Sequence, residues 1–112
     1  MMEEFIQVFM TIGKKEDADK IAKTLVEKRL AGCFQIFGPI VSTYWWKDNI
    51  ETAEEWLCLI KSKKALYEEL EKAIKEIHPY ETPEIIAMPI VAGSEDYLKW
   101  LSSELRKEKN LK

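Results

Sequence analysis

The segment Val41-Ser42-Thr43-Tyr44-Trp45-Trp46-Lys47-Asp48-Asn49-Ile50 decides how the rest of the chain is arranged. Val41, Thr43 and the three aromatics give its first part the composition of a strand. Lys47-Asp48-Asn49 turns the chain, and Ile50 to Lys61 runs back. Upstream, extended character reaches to Cys33, with Gly38-Pro39 as a break or bulge. The predicted hairpin has arms of about fifteen residues, ~50 Å at ~3.3 Å per residue, more than twice an ordinary strand. In the returning arm Trp56, Cys58 and Ile60 alternate with Leu57, Leu59 and Lys61. Apolar residues on both faces near its end predict a central strand. The distal half carries Tyr44, Trp45 and Trp46, a sticky edge in an isolated chain. Another subunit is expected to cover it. The competing arrangement folds the hairpin back over its own sheet at Gly38-Pro39.

Outward from the hairpin, each side continues into a helix and then a strand. On the N-terminal side Ala18, Ile21, Ala22, Leu25 and Val26 fall on one helical face, predicting a helix over 15–30. Glu16 and Asp17 suit its first turn, Lys28 and Arg29 its last, and Gly32 its exit. Before it, Phe5 to Ile12 has strand length and is closed by Gly13. On the C-terminal side Ser62 is expected to cap a second helix with Leu66, Leu70, Ala73, Ile74 and Ile77 inward. Ile85 to Val91 reads as a buried strand, and Pro89 places it at an edge, a bulge or a strand end. Ser94 caps a third helix, with Leu98, Leu101 and Leu105 as its stripe. The tail from Arg106 to Lys112 is nearly all charged and is expected to fray.

The order β-α-β-β-α-β followed by a helix is an α+β, ferredoxin-like split βαβ pattern. Right-handed crossovers then predict an antiparallel sheet in the order four-one-three-two, in a single domain spanning 1–112. Strand one would end at the rim where strand four begins. Met10 and Thr11 would therefore lie beside the second helix-to-strand connection, with the hairpin tip pointing to the same rim. Cys33 and Lys61 would fall at the opposite rim and could reach that site only from a neighbouring subunit.

That connection is His78-Pro79-Tyr80-Glu81-Thr82-Pro83-Glu84, with the only histidine and two of the four prolines. Each proline biases the preceding residue away from helical angles, so the helix should stop near Ile77. The segment presents an imidazole, a phenol and carboxylates from a stiff backbone, the setting in which function concentrates. A plain helix-to-strand turn with a solvated histidine fits the spacing as well. Met10 and His78 would form a soft-plus-borderline donor pair that suits copper, and Glu81 could add a carboxylate. For Met10 the alternative is core packing, and for Cys33 and Cys58 it is service as small buried apolar residues. No nucleophile pairs with His78 in the sequence, so no enzymatic role is expected.

Composition excludes several classes. The net charge of −3 offers no basic excess for nucleic-acid phosphates. Glu54-Glu55-Trp56-Leu57-Cys58-Leu59-Ile60 lacks the glycine-aromatic pattern of RNA-recognition modules on a similar fold. Gly13-Lys14-Lys15 is too short to mark an anion-cradling loop. The longest apolar run, Ile85 to Ala92, cannot span a bilayer. Met1-Met2-Glu3-Glu4 lacks the features of a signal peptide, and two cysteines outside any Cys-x-x-Cys pair are expected to stay reduced. A cytoplasmic location is therefore expected.

Four segments together resemble the CutA divalent-cation tolerance family. They are Leu30-Ala31-Gly32-Cys33-Phe34, Gly38 through Trp46, Leu59-Ile60-Lys61-Ser62 and His78 through Ala87, with Tyr97-Leu98-Lys99-Trp100-Leu101 fitting the closing helix. The resemblance runs nearly end to end. It implies a homotrimer built by pairing long hairpins, and a role in tolerance to copper and other divalent metals. It also implies a likeness in assembly to the PII signal proteins, so the alternative is a signalling module that binds a small metabolite and regulates a partner. Carried over, the family's intersubunit cleft falls on Cys33, Trp46, Glu55, Lys61, Tyr80, Glu81 and His78. In some bacterial members copper is assigned to a cysteine near the end of strand one and to two adjacent histidines. Met10, Ile77 and His78 stand at those places here, which implies weak metal binding, with Met10, His78 and Glu81 as the candidate donors.

Overall fold

The computed structural model describes residues 3–107. The elements run β1 (Phe5–Ile12), α1 (Lys15–Glu27), β2 (Cys33–Trp46), β3 (Asn49–Lys63), a short 3-10 turn (Lys64–Leu66), α2 (Tyr67–Ile77), β4 (Ile85–Ile90) and α3 (Glu95–Glu104). The sheet is antiparallel in the order β2-β3-β1-β4, the topology expected from the element order. Strand alternation sends Ile6, Val8, Met10 and Ile12 inward. Cys58 and Ile60 of β3 join them, with Ala18, Ile21 and Leu25 of α1 and Leu70, Ala73 and Ile74 of α2 closing the core. Met10 pairs with both Cys58 and Ile85, so β1 ends at the rim where β4 begins.

Several local expectations are corrected. Helix α1 stops at Glu27 because Arg29, not Gly32, takes the left-handed position, with φ of 58°. Leu30 N–H then reaches Leu25 O at 3.0 Å and Arg29 N–H reaches Val26 O at 3.0 Å, the paired bonds of a Schellman end. This reversal drives Leu30 and Ala31 into the core and leaves Val26 outside. Ser62 is not a cap: it lies in β3, buried, and its hydroxyl donates to Leu30 O at 2.7 Å. Pairing with β1, Ile6 with Ser62 and Phe5 with Lys63, carries the strand through this point, and the 3-10 turn leads into the helix at Tyr67. Ile77 is half-exposed because α2 ends there as the chain turns to His78. Strand β4 is an edge rather than a buried strand, and Ile86 and Met88 face outward. Pro89 is tolerated there because an edge strand need not donate on both sides.

Ser94 does cap α3, accepting from Tyr97 N–H at 3.1 Å. Arg106 is anchored rather than frayed. Its N–H reaches Arg29 O at 2.8 Å, and its guanidinium donates to Lys28 O at 3.1 Å and to Glu69 at 2.8 Å. The rest of the predicted fraying tail, 108–112, lies outside the described residues.

The hairpin arms are 14 and 15 residues long, with a register shift between Phe37 and Ile40 at the Gly38-Pro39 bulge. The tip is a two-residue turn in which Lys47 and Asp48 both have positive φ, 51° and 69°, as a type I′ turn requires. The ribbon is not folded back over its own sheet: Trp45 remains 71% exposed and Val41 72%.

Candidate functional site

A pocket of about 740 Å³ opens between the distal ribbon and the connection after α2. Tyr44, Trp45 and Trp46 line one wall, Tyr80, Glu81 and Glu84 the other, with buried Thr11 and Glu55 deepest. Its size is that of a small-molecule site.

His78 holds the second wall in place. It leaves α2 in an extended conformation, as the following proline demands, while its N–H still reaches Ile74 O at 2.8 Å. The ring is buried and both nitrogens are used. Nδ1 accepts from Tyr80 N–H at 3.1 Å, so Nε2 carries the proton and donates to Thr11 O at 2.9 Å. One imidazole thus ties the end of β1 to the loop. Its edge also meets the Tyr80 ring, with centroids 4.8 Å apart.

Tyr80 reaches across and donates its hydroxyl to Glu55 Oε2 at 2.7 Å. Gly13 leaves room for this: a Cβ there would sit 3.1 Å from the hydroxyl. Burial, and then the bond to the Glu55 carboxylate, hold the Tyr80 phenol well above its ordinary range. The phenol is thus a fixed hydrogen-bond donor, and Glu55 is a buried acceptor on β3. At the mouth Lys47 Nζ lies 5.5 Å from the Trp46 ring centroid and 4.0 Å from Glu81 Oε1.

Of the expected site residues, the structure gathers Trp46, Glu55, Tyr80 and Glu81 around one pocket. Cys33 and Lys61 pair at the opposite rim, as the topology implied; Lys61 donates to Gln35 at 2.6 Å, and Cys33 lies against Tyr97. Met10, His78 and Glu81 do not converge as a donor set. The Met10 thioether is sealed in the core by inward alternation, and the His78 nitrogens are both committed to the backbone. Among the described residues no group of three or more His, Cys, Asp or Glu side chains is placed to hold a metal ion. A copper centre therefore does not fit the side chains of one subunit as they stand. Glu84 on the wall and Lys47 at the mouth were missed. Lys47 read only as a turn residue, although its place after Trp46 on a ribbon aimed at the loop was a usable signal.

Four antiparallel strands, helices on the buried face and a rim cleft under an overlong ribbon define an α+β protein of the split βαβ type. The profile of the CutA1 divalent ion tolerance protein family matches residues 6–104, and the chain belongs to that family. It is 41% identical over 100 residues to the divalent-cation tolerance protein CutA of Thermus thermophilus, covering 89% of this chain and 95% of that one. The rice chloroplastic CutA 1 protein is 37% identical over 90% of this chain, which spans 57% of the rice protein's length. In structure, CutA1 of Pyrococcus horikoshii superposes with a TM-score of 0.86 at 39% identity, covering 91% of this chain and 99% of that one. Rice CutA1 gives 0.92 at 35% identity, covering 95% and 97%.

Proposed function

We propose that this chain works as a cytoplasmic homotrimer in tolerance to divalent cations, with clefts between subunits that bind a cation or small ligand weakly. The observation that carries the reading is the ribbon. Trp45, Ile50 and Val41 stay largely exposed on their own subunit, beside a pocket edged by Glu81 and Glu84 with Glu55 at its base. Large aromatic surface of this kind calls for a sister copy. Neighbouring subunits would then bring Cys33 and Lys61 toward the cleft. Membership of the family supports the metal-tolerance role. The carboxylates would meet a divalent cation loosely, in keeping with weak binding rather than a tight copper cage.

The reading assigns no catalytic step and no nucleic-acid or membrane partner; no helix of the described residues is long and apolar enough to cross a membrane. Two unbridged cysteines support the cytoplasmic placement. The names of relatives include chloroplastic and periplasmic proteins, so fractionation of the native cell is the check on location. The comparisons do not favour the PII-like alternative, and no observation revives it.

Calorimetry with copper and zinc salts tests the cation half, on the wild type, His78→Ala and the Glu81→Gln/Glu84→Gln pair. Weak binding that the paired variant loses is expected. Binding by the paired variant equal to wild type would place the cation elsewhere. A loss confined to His78→Ala would restore the histidine as a ligand.

A further inference from the structure

We propose that the cleft takes an organic ammonium group, seated on the face of Trp46 and against Glu81, and that Lys47 is its built-in competitor. The proposal rests on the reading of the cleft as a ligand site and narrows its ligand class. Three observations point the same way.

The first is Lys47 itself. Its ammonium lies 5.5 Å from the Trp46 ring centroid and 4.0 Å from Glu81 Oε1, so an alkylammonium group already stands at the mouth. An indole face attracts a cation through its ring quadrupole, and the carboxylate adds a formal charge. Positive φ at Lys47 and Asp48 fixes the turn from which that side chain departs.

The second is the shape of the pocket. About 740 Å³ bounded by Tyr44, Trp46 and Tyr80 is far larger than a bare ion needs, and suits a cation with an apolar body. The third is the donor chemistry. A divalent metal demands several oxygens at short, fixed distances, whereas an ammonium on an aromatic face needs only one carboxylate and an open ring. Glu55 is already committed to Tyr80, which leaves Glu81 and Glu84 nearer the opening. In this arrangement the aromatic wall binds the body of the ligand, Glu81 binds its charge, and Lys47 swings out as the ligand enters.

The test uses n-butylammonium chloride, which is the lysine side chain free in solution, against 1-butanol, its neutral isostere. Both are titrated at constant ionic strength while the indole N–H signals of the tryptophans are followed by NMR. Saturable binding of butylammonium but not butanol is expected. Lys47→Met should tighten it at least about threefold, and Glu81→Gln and Trp46→Leu should each weaken it by about tenfold. Glu81 lies on an exposed loop, so its variant keeps the test valid should Trp46→Leu fail to fold. Binding seen only in Lys47→Met also supports the proposal, as the competitor then wins in the wild type. Equal binding of butanol, or affinity unmoved by Lys47→Met, overturns it. A zinc chloride arm separates the two readings. If zinc binds through Glu81 and butylammonium does not, the ammonium proposal fails and the divalent-cation reading stands. If neither binds to either protein, both fail.

Discussion

The hydroxyl of Tyr80 donates to Glu55 Oε2 at 2.7 Å, joining the loop after α2 to the central strand β3 at the base of the cleft. A carboxylate that is only 4% exposed depends on such a donor, because its desolvation is otherwise uncompensated. Tyr80→Phe removes the donor and leaves the charge behind. It should destabilise the fold by about 1.5–3 kcal/mol in urea denaturation, with Glu55→Gln milder because it removes the charge as well. The pH dependence follows from the raised phenol. The unfolded chain would lose the Tyr80 proton near the ordinary tyrosine value of 10.0 and the folded chain only above it. Stability from this group is therefore complete below that value and is lost as pH rises toward the folded one. Tyr80→Phe should flatten the alkaline limb of the stability curve, and an unchanged limb would rule this group out as its source.

His78 is expected to carry its ring proton on Nε2, since Nδ1 accepts a backbone N–H and Nε2 faces a carbonyl. The nitrogen-15 shifts of the ring distinguish the two tautomers. A proton on Nδ1 would contradict the structural role and return a lone pair on Nε2 to metal chemistry.

Gly32 admits the third helix. A Cβ there would meet Leu101 Cδ1 at 2.5 Å, and Leu101 is fully buried. Gly32→Ala should destabilise by about 1–3 kcal/mol through overpacking. Leu101→Ala should cost about 2–5 kcal/mol through the cavity it leaves. The double variant should be more stable than the sum of the two losses, because each relieves the other. Strict additivity in thermal or urea melts would show that the two residues do not meet.

Arg106→Ala should lower the melting temperature by the equivalent of about 1 kcal/mol, because it removes bonds to the end of α1 and to Glu69. A larger part of the effect should survive in high salt than for an exposed pair such as Lys23–Glu27, since its contacts to Lys28 O are not ion pairs. An effect that salt abolishes would assign it to charge alone.

The fold was legible where side-chain period and tertiary burial agree. The alternating β1 residues, the stripe of α1 and the two prolines flanking Tyr80 fixed the element order, and the order fixed the sheet. It was illegible where a tertiary partner overrode a local signal. Ser62 looks like a cap in sequence, but the carbonyl it needs comes from Leu30, which only the folded chain brings near. Arg29 occupies a left-handed position that local preference gives to glycine, because two apolar residues beyond it must turn inward. At the site, the rigid loop and the aromatic ribbon could be read from residue types. What His78 bonds could not, since spacing does not reveal that Thr11 O and Tyr80 N–H lie on either side of its ring. Met10 had one reading as donor and one as core, and the direction of strand alternation decides for the core.

The exposed ribbon is proposed to find its cover on sister subunits. Sedimentation equilibrium at micromolar concentration measures this most directly. A single species of three times the 13.1 kDa chain mass is expected, weakened to smaller species by Trp45→Glu. A stable 13.1 kDa monomer with Trp45 still exposed to solvent quenchers would contradict it.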